Sequence, residues 1–198
     1  GGLAAVHSSG RDRDSIWKGL TNKETYGTSG DRILLWFDLI QENLLSPMGS
    51  SVNQKTNPIF RIKAVGAFEQ KPGCPDYSAT NITSEDLERI CKNECYNPSD
   101  TRKNISRIEI IKITPQVSKG EPIDGLIQDT WKTFDCQPSQ EGCEVEFSDE
   151  DFEFNARDSI YYVRAIQEPS PVVNAENLRC TYDENGDCIK VNICYGDS

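Results

Sequence analysis

The stretch Phe60-Arg61-Ile62-Lys63-Ala64-Val65-Gly66-Ala67-Phe68 alternates apolar or small side chains with other side chains, two of them charged. Its even-numbered positions are apolar or small, whereas Arg61 and Lys63 occupy two of the odd-numbered ones. Successive side chains of a β-strand point to opposite faces, so this period of two predicts a strand with one buried and one solvated face.

Three further stretches predict strands. Residues 33–40 form a nearly continuous hydrophobic run, and residues 160–166 are rich in Tyr, Val and Ile. Residues 108–113 alternate with a slip in phase, which predicts a β-bulge near Ile110. Strands at these intervals, joined by turn-rich connections, predict an α+β, mainly β chain with an antiparallel β-sandwich.

Two long segments, residues 69–103 and 116–157, are rich in Pro, Gly, Asp and Cys. We interpret them as loops that disulfide bonds hold in place. Within the first, Thr83 or Ser84 is the predicted N-cap of a short helix. Within the second, the acidic run of residues 148–153 favours a solvated turn over a calcium site, because it lacks regular ligand spacing. Near the C-terminus, Asn185-Gly186 predicts a hairpin turn, although Asp183, Asn185 and Asp187 imitate the start of a calcium loop.

Eight cysteines fall in three clusters: Cys74, Cys91 and Cys95; Cys136 and Cys143; Cys180, Cys188 and Cys194. An even count in loop-rich sequence favours a disulfide framework, and hence a periplasmic or secreted protein. Structural zinc is the alternative, but no C-x-x-C pair occurs. We expect Cys136 to bond Cys143 across a compact turn. If the other six are all oxidised, at least one disulfide must join the Cys74 cluster to the Cys180 cluster.

The charge and hydropathy of the chain limit the classes of partner that we expect. Thirty-two acidic residues against 21 basic ones give a net charge of -11, which argues against nucleic acid because phosphate contacts need clustered Lys and Arg. The mean hydropathy is -0.60, and no apolar run approaches the length of a membrane span. We therefore expect neither a nucleic-acid partner nor a membrane-spanning segment.

The first thirty residues predict a strand followed by a helix. Residues 3–6 form a short apolar run, and Ser9 or Asp12 can cap the helix that follows. Gly27 is the predicted stop. The apolar stripe of this helix is formed by Ile16, Trp17 and Leu20.

The same residues carry a resemblance to a known superfamily. Gly1-Gly2-Leu3-Ala4-Ala5-Val6, Ile16-Trp17-Lys18-Gly19-Leu20 and residues 24–33 resemble the end of the catalytic domain of PHP-like (polymerase and histidinol phosphatase) metal-dependent hydrolases, in particular a bacterial branch of unknown function. Four later blocks, residues 70–77, 94–100, 120–127 and 161–169, look like the same branch. The resemblance implies that residues 1–30 are the last strand and helix of a PHP-like barrel, and that residues 31–198 form an attached, disulfide-pinned β-sandwich.

The resemblance also implies an activity for a longer parent protein. The only methionine is Met48, so we expect an N-terminal barrel portion to precede these residues and to carry the main metal motifs. A divalent metal there, zinc, manganese or iron, would activate water to hydrolyse a phosphoester or another small molecule. We expect the 198 residues alone to hold no such metal and to be inactive. The alternative is a non-catalytic exported β-sandwich that binds a glycan or a cell-surface partner.

Three residues are candidates for the site. His7 is the only histidine, which argues against nucleophilic triads. It ends the first strand, and in barrels the C-terminal ends of strands face the active site. The alternative is a half-buried, hydrogen-bonded histidine. Asp31 and Arg32 follow a small-residue turn, where the guanidinium could grip a phosphate or carboxylate, or the two could form a local ion pair.

Overall fold

The computed structural model describes residues 2–42, 44–80, 82–91, 95–170, 180–184 and 188–191. The chain divides into two compact units, residues 1–168 and residues 169–198. Among the described residues, no helix combines the length and apolar character that a membrane crossing requires.

The first unit contains eleven strands and three short α-helices within its described residues. The strands are β1 (Leu3–Val6), β2 (Thr25–Thr28), β3 (Leu34–Gln41), β4 (Leu44–Pro47), β5 (Ile59–Val65), β6 (Phe68–Gln70), β7 (Pro98–Arg102), β8 (Ile105–Ile113), β9 (Ile127–Asp135), β10 (Cys143–Ser148) and β11 (Ile160–Gln167). The helices are α1 (Arg13–Thr21), α2 (Ser84–Cys91) and α3 (Phe152–Asn155), and a 3-10 turn spans Asp76–Ala79.

Two larger sheets dominate this unit. One has four strands in the order β10-β5-β3-β4, and the other has three in the order β11-β8-β9. Two small sheets pair β1 with β2 and β6 with β7. Every described pairing is antiparallel. The expectation of a mainly β, antiparallel chain is therefore confirmed.

The core takes side chains from both larger sheets. The four-stranded sheet and the three-stranded sheet contribute to one buried cluster, formed by Leu35, Phe60, Ile62, Ala64, Phe147, Ile105, Ile108 and Ile110. The period of two predicted for residues 60–68 is confirmed over β5. Ile62 and Ala64 are fully buried, while Arg61 and Lys63 form ion pairs with Glu146 and Glu144 of β10 on the other face.

Strand β5 ends earlier than its sequence pattern suggests. Gly66 approaches the backbone of Lys103 so closely that a Cβ at this glycine would lie 1.9 Å from the Lys103 carbonyl oxygen. The chain leaves the sheet there, and the pattern resumes in β6 at Phe68. The bulge expected near Ile110 is confirmed, because the register between β8 and β9 shifts between Ile110 and Lys112.

The interpretation of residues 69–103 and 116–157 as loops is wrong. The first segment contains β7 besides the predicted helix α2, and the second contains β9, β10 and α3. Strand β10 alternates Cys143, Val145 and Phe147 with glutamates and a serine, which is a regular period of two. Because its alternate residues are glutamates, the composition of this segment looks like that of a polar loop. In the sheet these glutamates form ion pairs with Arg61 and Lys63 of β5.

The caps of two helices follow the sequence. Asp12 accepts the backbone N–H of Ser15 at 2.9 Å and is the N-cap of α1, and Thr83 accepts the N–H of Asp86 at 3.1 Å before α2. The predicted stop at Gly27 is wrong. Helix α1 ends at Thr21, Lys23 adopts a φ of 61°, and Gly27 lies within β2.

Two disulfides lie in the described residues. Cys136 bonds Cys143 as expected, and Cys74 bonds Cys95. Disulfides are typical of proteins in oxidising compartments, outside the cell or in the periplasm. The expected bond between the Cys74 and Cys180 clusters lies outside the described side chains.

The expectation of a solvated turn at residues 148–153 holds for Glu150, Asp151 and Glu153, which are exposed, but is wrong for Asp149. Asp149 is 0% exposed and forms an ion pair with Lys112, whose side chain is 6% exposed. The Tyr161 hydroxyl donates a hydrogen bond to the same carboxylate. The sequence conceals this because the partner cation lies 37 positions away, on β8.

The second unit contains a described strand pair, β12 (Cys180–Tyr182) and β13 (Cys188–Val191). The strands are antiparallel, with Cys180 opposite Val191 and Tyr182 opposite Cys188. The predicted Asn185-Gly186 turn, and the calcium-like positions 185 and 187, lie outside the described residues.

Candidate functional site

His7 follows β1 and is held against β3. Its Nε2 lies 2.8 Å from the carbonyl oxygen of Leu35. Since a carbonyl oxygen only accepts, Nε2 carries the proton and donates. The ring is half-buried and lies 5.6 Å from the Tyr26 ring and 5.8 Å from the Trp36 ring, measured between centroids. With Nε2 as the donor, Nδ1 is the ring nitrogen that can accept a hydrogen bond.

Two local contacts hold the backbone of His7, and a third holds the Tyr26 ring beside it. Its N–H donates to the Glu24 carbonyl at 2.9 Å, which continues the antiparallel pairing of β1 with β2. Gly19 of α1 brings the helix against this point, since a Cβ at Gly19 would lie 2.3 Å from the His7 carbonyl oxygen. The Tyr26 hydroxyl donates to the Ile33 carbonyl at 2.9 Å. The imidazole therefore stands at a defined place between β1 and β3.

Asp38 is the charged neighbour of His7 that the sequence reasoning did not single out. Partial burial raises the pKa of the Asp38 carboxyl, while the positive charges of His7 and Arg61 act to lower it. Arg61 lies opposite Asp38 in the pairing of β5 with β3 and also binds Glu146 at 3.1 Å. A signal was available, because Asp38 is the one acid within the apolar run of residues 33–40.

Asp31 and Arg32 are committed to different partners. Gln167, at the end of β11, donates a side-chain hydrogen bond to the Asp31 carboxylate. The Arg32 guanidinium lies 3.7 Å from the centroid of the Tyr96 ring, within the range of a cation–π contact. The three predicted side chains thus engage Leu35, Gln167 and Tyr96 respectively. Arg32 is exposed, so its guanidinium edge can still meet an anion.

Two surface depressions lie near the end of β1, and His7 is not among the residues that line either of them. One is lined by Val6, Ile16 and the loop of residues 8–11, and another by Leu20 with parts of β1 and β2. In the part of the chain that the structure describes, no group of three or more His, Cys, Asp and Glu side chains could hold a metal ion. The chemistry available here is that of one imidazole and one carboxyl of raised pKa, with a cation nearby.

Comparison with known families gives one match. The sequence profile of a family described as a protein of unknown function (DUF3604) matches residues 1–39, which include β1, α1, β2 and most of β3. No curated protein and no solved structure matches the chain. The matched segment is the one that holds His7, Asp31, Arg32 and Asp38.

Proposed function

We propose that this chain is the C-terminal part of a longer, exported metal-dependent hydrolase that acts on a phosphoester. In this proposal residues 1–30 complete a PHP-like barrel, and the antiparallel sheets form a supporting domain. The missing barrel portion would supply the divalent metal, which activates water and neutralises charge on the substrate. The two disulfides support a periplasmic or secreted location.

One observation carries the proposal: the apolar side chains of β1 and α1 are exposed. Trp17 is 69% exposed, Leu20 48% and Leu3 42%. Leu3 belongs to β1, and Trp17 and Leu20 belong to the helix α1 that follows it. Exposed apolar clusters on a soluble protein mark surfaces that another element covers. The family match over residues 1–39 coincides with this surface, so we assign the cover to the rest of the barrel.

In this arrangement His7 is a residue of the pocket wall. It follows β1, the end at which barrel strands present residues to a substrate. Because Nε2 is bound to Leu35, we assign to His7 the task of contacting substrate through Nδ1. Asp38 is a charged neighbour, and the His7 charge acts to lower the pKa of its carboxyl.

The test compares the 198-residue chain with a protein extended upstream of Gly1. We expect the extended protein to bind a divalent metal stoichiometrically and to hydrolyse aryl phosphomonoesters or phosphodiesters, and the 198-residue chain to do neither. His7→Ala in the extended protein should lower the rate at least tenfold, a larger effect than the fall in stability caused by loss of its hydrogen bond to Leu35. An extended protein that is inert with zinc, manganese and iron would overturn the proposal.

A matched pair of variants tests the covered surface directly. Trp17→Ser should leave the stability of the 198-residue chain nearly unchanged, since the ring is largely in water, but should destabilise the extended protein. Burial of an aromatic side chain contributes about 2 to 3 kcal/mol. Val117→Ser, at an exposed loop position, is the control and should be neutral in both proteins. Equal, small effects of Trp17→Ser in both would contradict the assigned cover.

A second candidate function is a binding module for a glycan or a cell-surface partner. The observation that favours it is the edge strand β4, where Leu44 and Leu45 are exposed. An exposed strand edge can pair with an extended peptide of another protein. Binding of the 198-residue chain to bacterial cell surfaces, lost on Leu44→Lys, together with an inactive extended protein, would favour this function.

A further inference from the structure

A lysine and an aspartate meet in the interior between the two larger sheets. The side chains of Lys112 on β8 and Asp149, just after β10, are 6% and 0% exposed and lie in direct contact. The Lys112 Nζ also lies 5.1 Å from the Trp131 ring centroid and 5.9 Å from that of Tyr161. The pair is thus enclosed by aromatic rings and removed from water.

Such an environment takes both groups out of water. The transfer of an ammonium and a carboxylate out of water costs several kcal/mol per ion, on the order of what their attraction returns. Transfer of one proton from Nζ to the carboxylate leaves a neutral amine beside a neutral acid. A desolvated lysine amine is an effective nucleophile, and the carbon it would attack belongs to the group it already touches.

The hydrogen bonds of Asp149 give its two oxygens different surroundings. Oδ2 accepts from Lys112 and from the Tyr161 hydroxyl. Oδ1 lies 3.3 Å from the backbone N–H of Asp151. Burial raises the pKa of Tyr161, and its hydrogen bond to Asp149 raises it further, so the hydroxyl keeps its proton and acts as a donor.

We propose that Lys112 and Asp149 form an intramolecular isopeptide bond, which makes this pair a site of self-modification. The Lys112 Nζ attacks Cγ of the protonated Asp149 carboxyl, and a C–N bond forms. Oδ2 leaves as water, with the proton it received first and a second proton from Nζ. Oδ1 becomes the amide oxygen. Nothing is oxidised or reduced, and the reaction needs no co-reactant.

The neighbouring donors suit the two stages of this reaction. The Asp151 N–H points at Oδ1, where negative charge develops in the tetrahedral intermediate, and fixed donors at such a position stabilise the transition state. The Tyr161 hydroxyl donates to Oδ2, which departs. The product is a neutral amide in place of two buried charges, and this removes the cost of their desolvation.

The bond would complete a pair of covalent links around β10. Cys143, at the start of this strand, is bonded to Cys136 just after β9. Asp149, just past its end, would be bonded to β8. Strand β10 belongs to the four-stranded sheet, whereas β8 and β9 belong to the three-stranded sheet. Each link therefore joins the two sheets, at opposite ends of one strand.

Mass spectrometry of the whole 198-residue chain tests the proposal. After reduction and alkylation under denaturing conditions, we expect the mass to fall short of the sequence mass by one water molecule. Tryptic digestion should show no cleavage after Lys112 and should yield one branched peptide that joins the Lys112 and Asp149 segments. A folded chain at its full sequence mass, with a cleavable Lys112, would overturn the proposal.

Matched variants assign the bond to these residues. Lys112→Arg keeps a cation but cannot form the amide, and should have its full sequence mass. Lys132→Arg removes the other lysine beside Trp131, at 4.8 Å from the ring centroid, and should keep the deficit. Tyr161→Phe should slow the appearance of the deficit several-fold as newly synthesised chain folds, because denaturant cannot break an amide bond that has already formed. A deficit that persists in Lys112→Arg would equally overturn the proposal, because another pair would then be linked.

Discussion

Asp38 lies in a strand whose other side chains are nearly all apolar. The amount by which its burial lowers the stability of the fold depends on pH. Burial raises its pKa above the usual 3.8, against the lowering effect of His7 and Arg61. The folded protein therefore binds this proton more readily than the unfolded chain does. Stability falls as the pH rises from 3.8 through the folded pKa, and the full cost is present above that range.

Because the stability falls as the Asp38 carboxyl ionises, the effect of Asp38→Asn can be predicted. The variant should unfold at a higher temperature than the wild type at pH 7, and the difference should vanish below pH 3.8, where both side chains are neutral. Thermal unfolding followed by circular dichroism across this pH range measures the effect. Asp100→Asn, at an exposed position on β7, is the control and should show no such dependence. A destabilised Asp38→Asn at pH 7 would mean that attraction to His7 and Arg61 outweighs burial.

The contact between α1 and β1 depends on the absence of a side chain at Gly19. In Gly19→Ala the new Cβ would lie 2.3 Å from the His7 carbonyl oxygen and 2.7 Å from Val6 Cγ2. Overpacking of this kind costs about 1 to 3 kcal/mol, against a gain of about 1 kcal/mol in helix propensity. We expect net destabilisation, seen as faster amide hydrogen exchange in β1 and β2.

A second glycine in the same segment provides the control. In Gly27→Ala the new Cβ would lie 3.9 Å from the Leu3 carbonyl oxygen, an ordinary contact. Exchange in β1 and β2 should then stay close to that of the wild type. Similar exchange rates in the two variants would show that the close approach of Gly19 does not hold the helix in place.

The disulfides stabilise the fold mainly because they restrict the conformations of the unfolded chain. In the chain-entropy account, loss of the Cys136–Cys143 bond costs about 2 to 3 kcal/mol, and loss of the longer Cys74–Cys95 loop costs somewhat more. Double serine variants of each pair, unfolded in urea, should rank in that order. The reverse order would indicate that Cys136–Cys143 also holds β9 and β10 in their native geometry, beyond its effect on the unfolded chain.

The alternation of apolar and polar residues predicted some of the strands, whereas the amino-acid composition of other segments did not reveal the strands within them. Strand β5, strand β11 and the bulge at Ile110 could be read from the period of two. Strands β9 and β10 were hidden by acidic and hydroxyl side chains at their outward positions. No local pattern could show that His7 binds a backbone carbonyl of β3, since that contact joins residues 28 positions apart. Asp38 was visible as an acid in an apolar run.

At the scale of the whole first unit, the two larger sheets are joined by apolar packing, by the Cys136–Cys143 disulfide and by the contact of Lys112 with Asp149. The interior between them holds the Lys112 and Asp149 side chains in contact beside aromatic rings. Removal of one member leaves the other buried without its partner. Replacement of every polar member by an apolar side chain leaves no such charge, and often costs little.

The last prediction follows from this asymmetry and holds whether the pair is ionic or covalently joined. Lys112→Met leaves the fully buried Asp149 carboxyl without its cation, and should destabilise the fold by about 3 to 5 kcal/mol or more. A triple variant, Lys112→Met with Asp149→Leu and Tyr161→Phe, should recover part of that loss, because no buried charge or hydroxyl is left unpaired. Urea unfolding of both variants measures the difference. If the triple variant is the less stable of the two, the polar cluster contributes more than an apolar core of similar volume can replace.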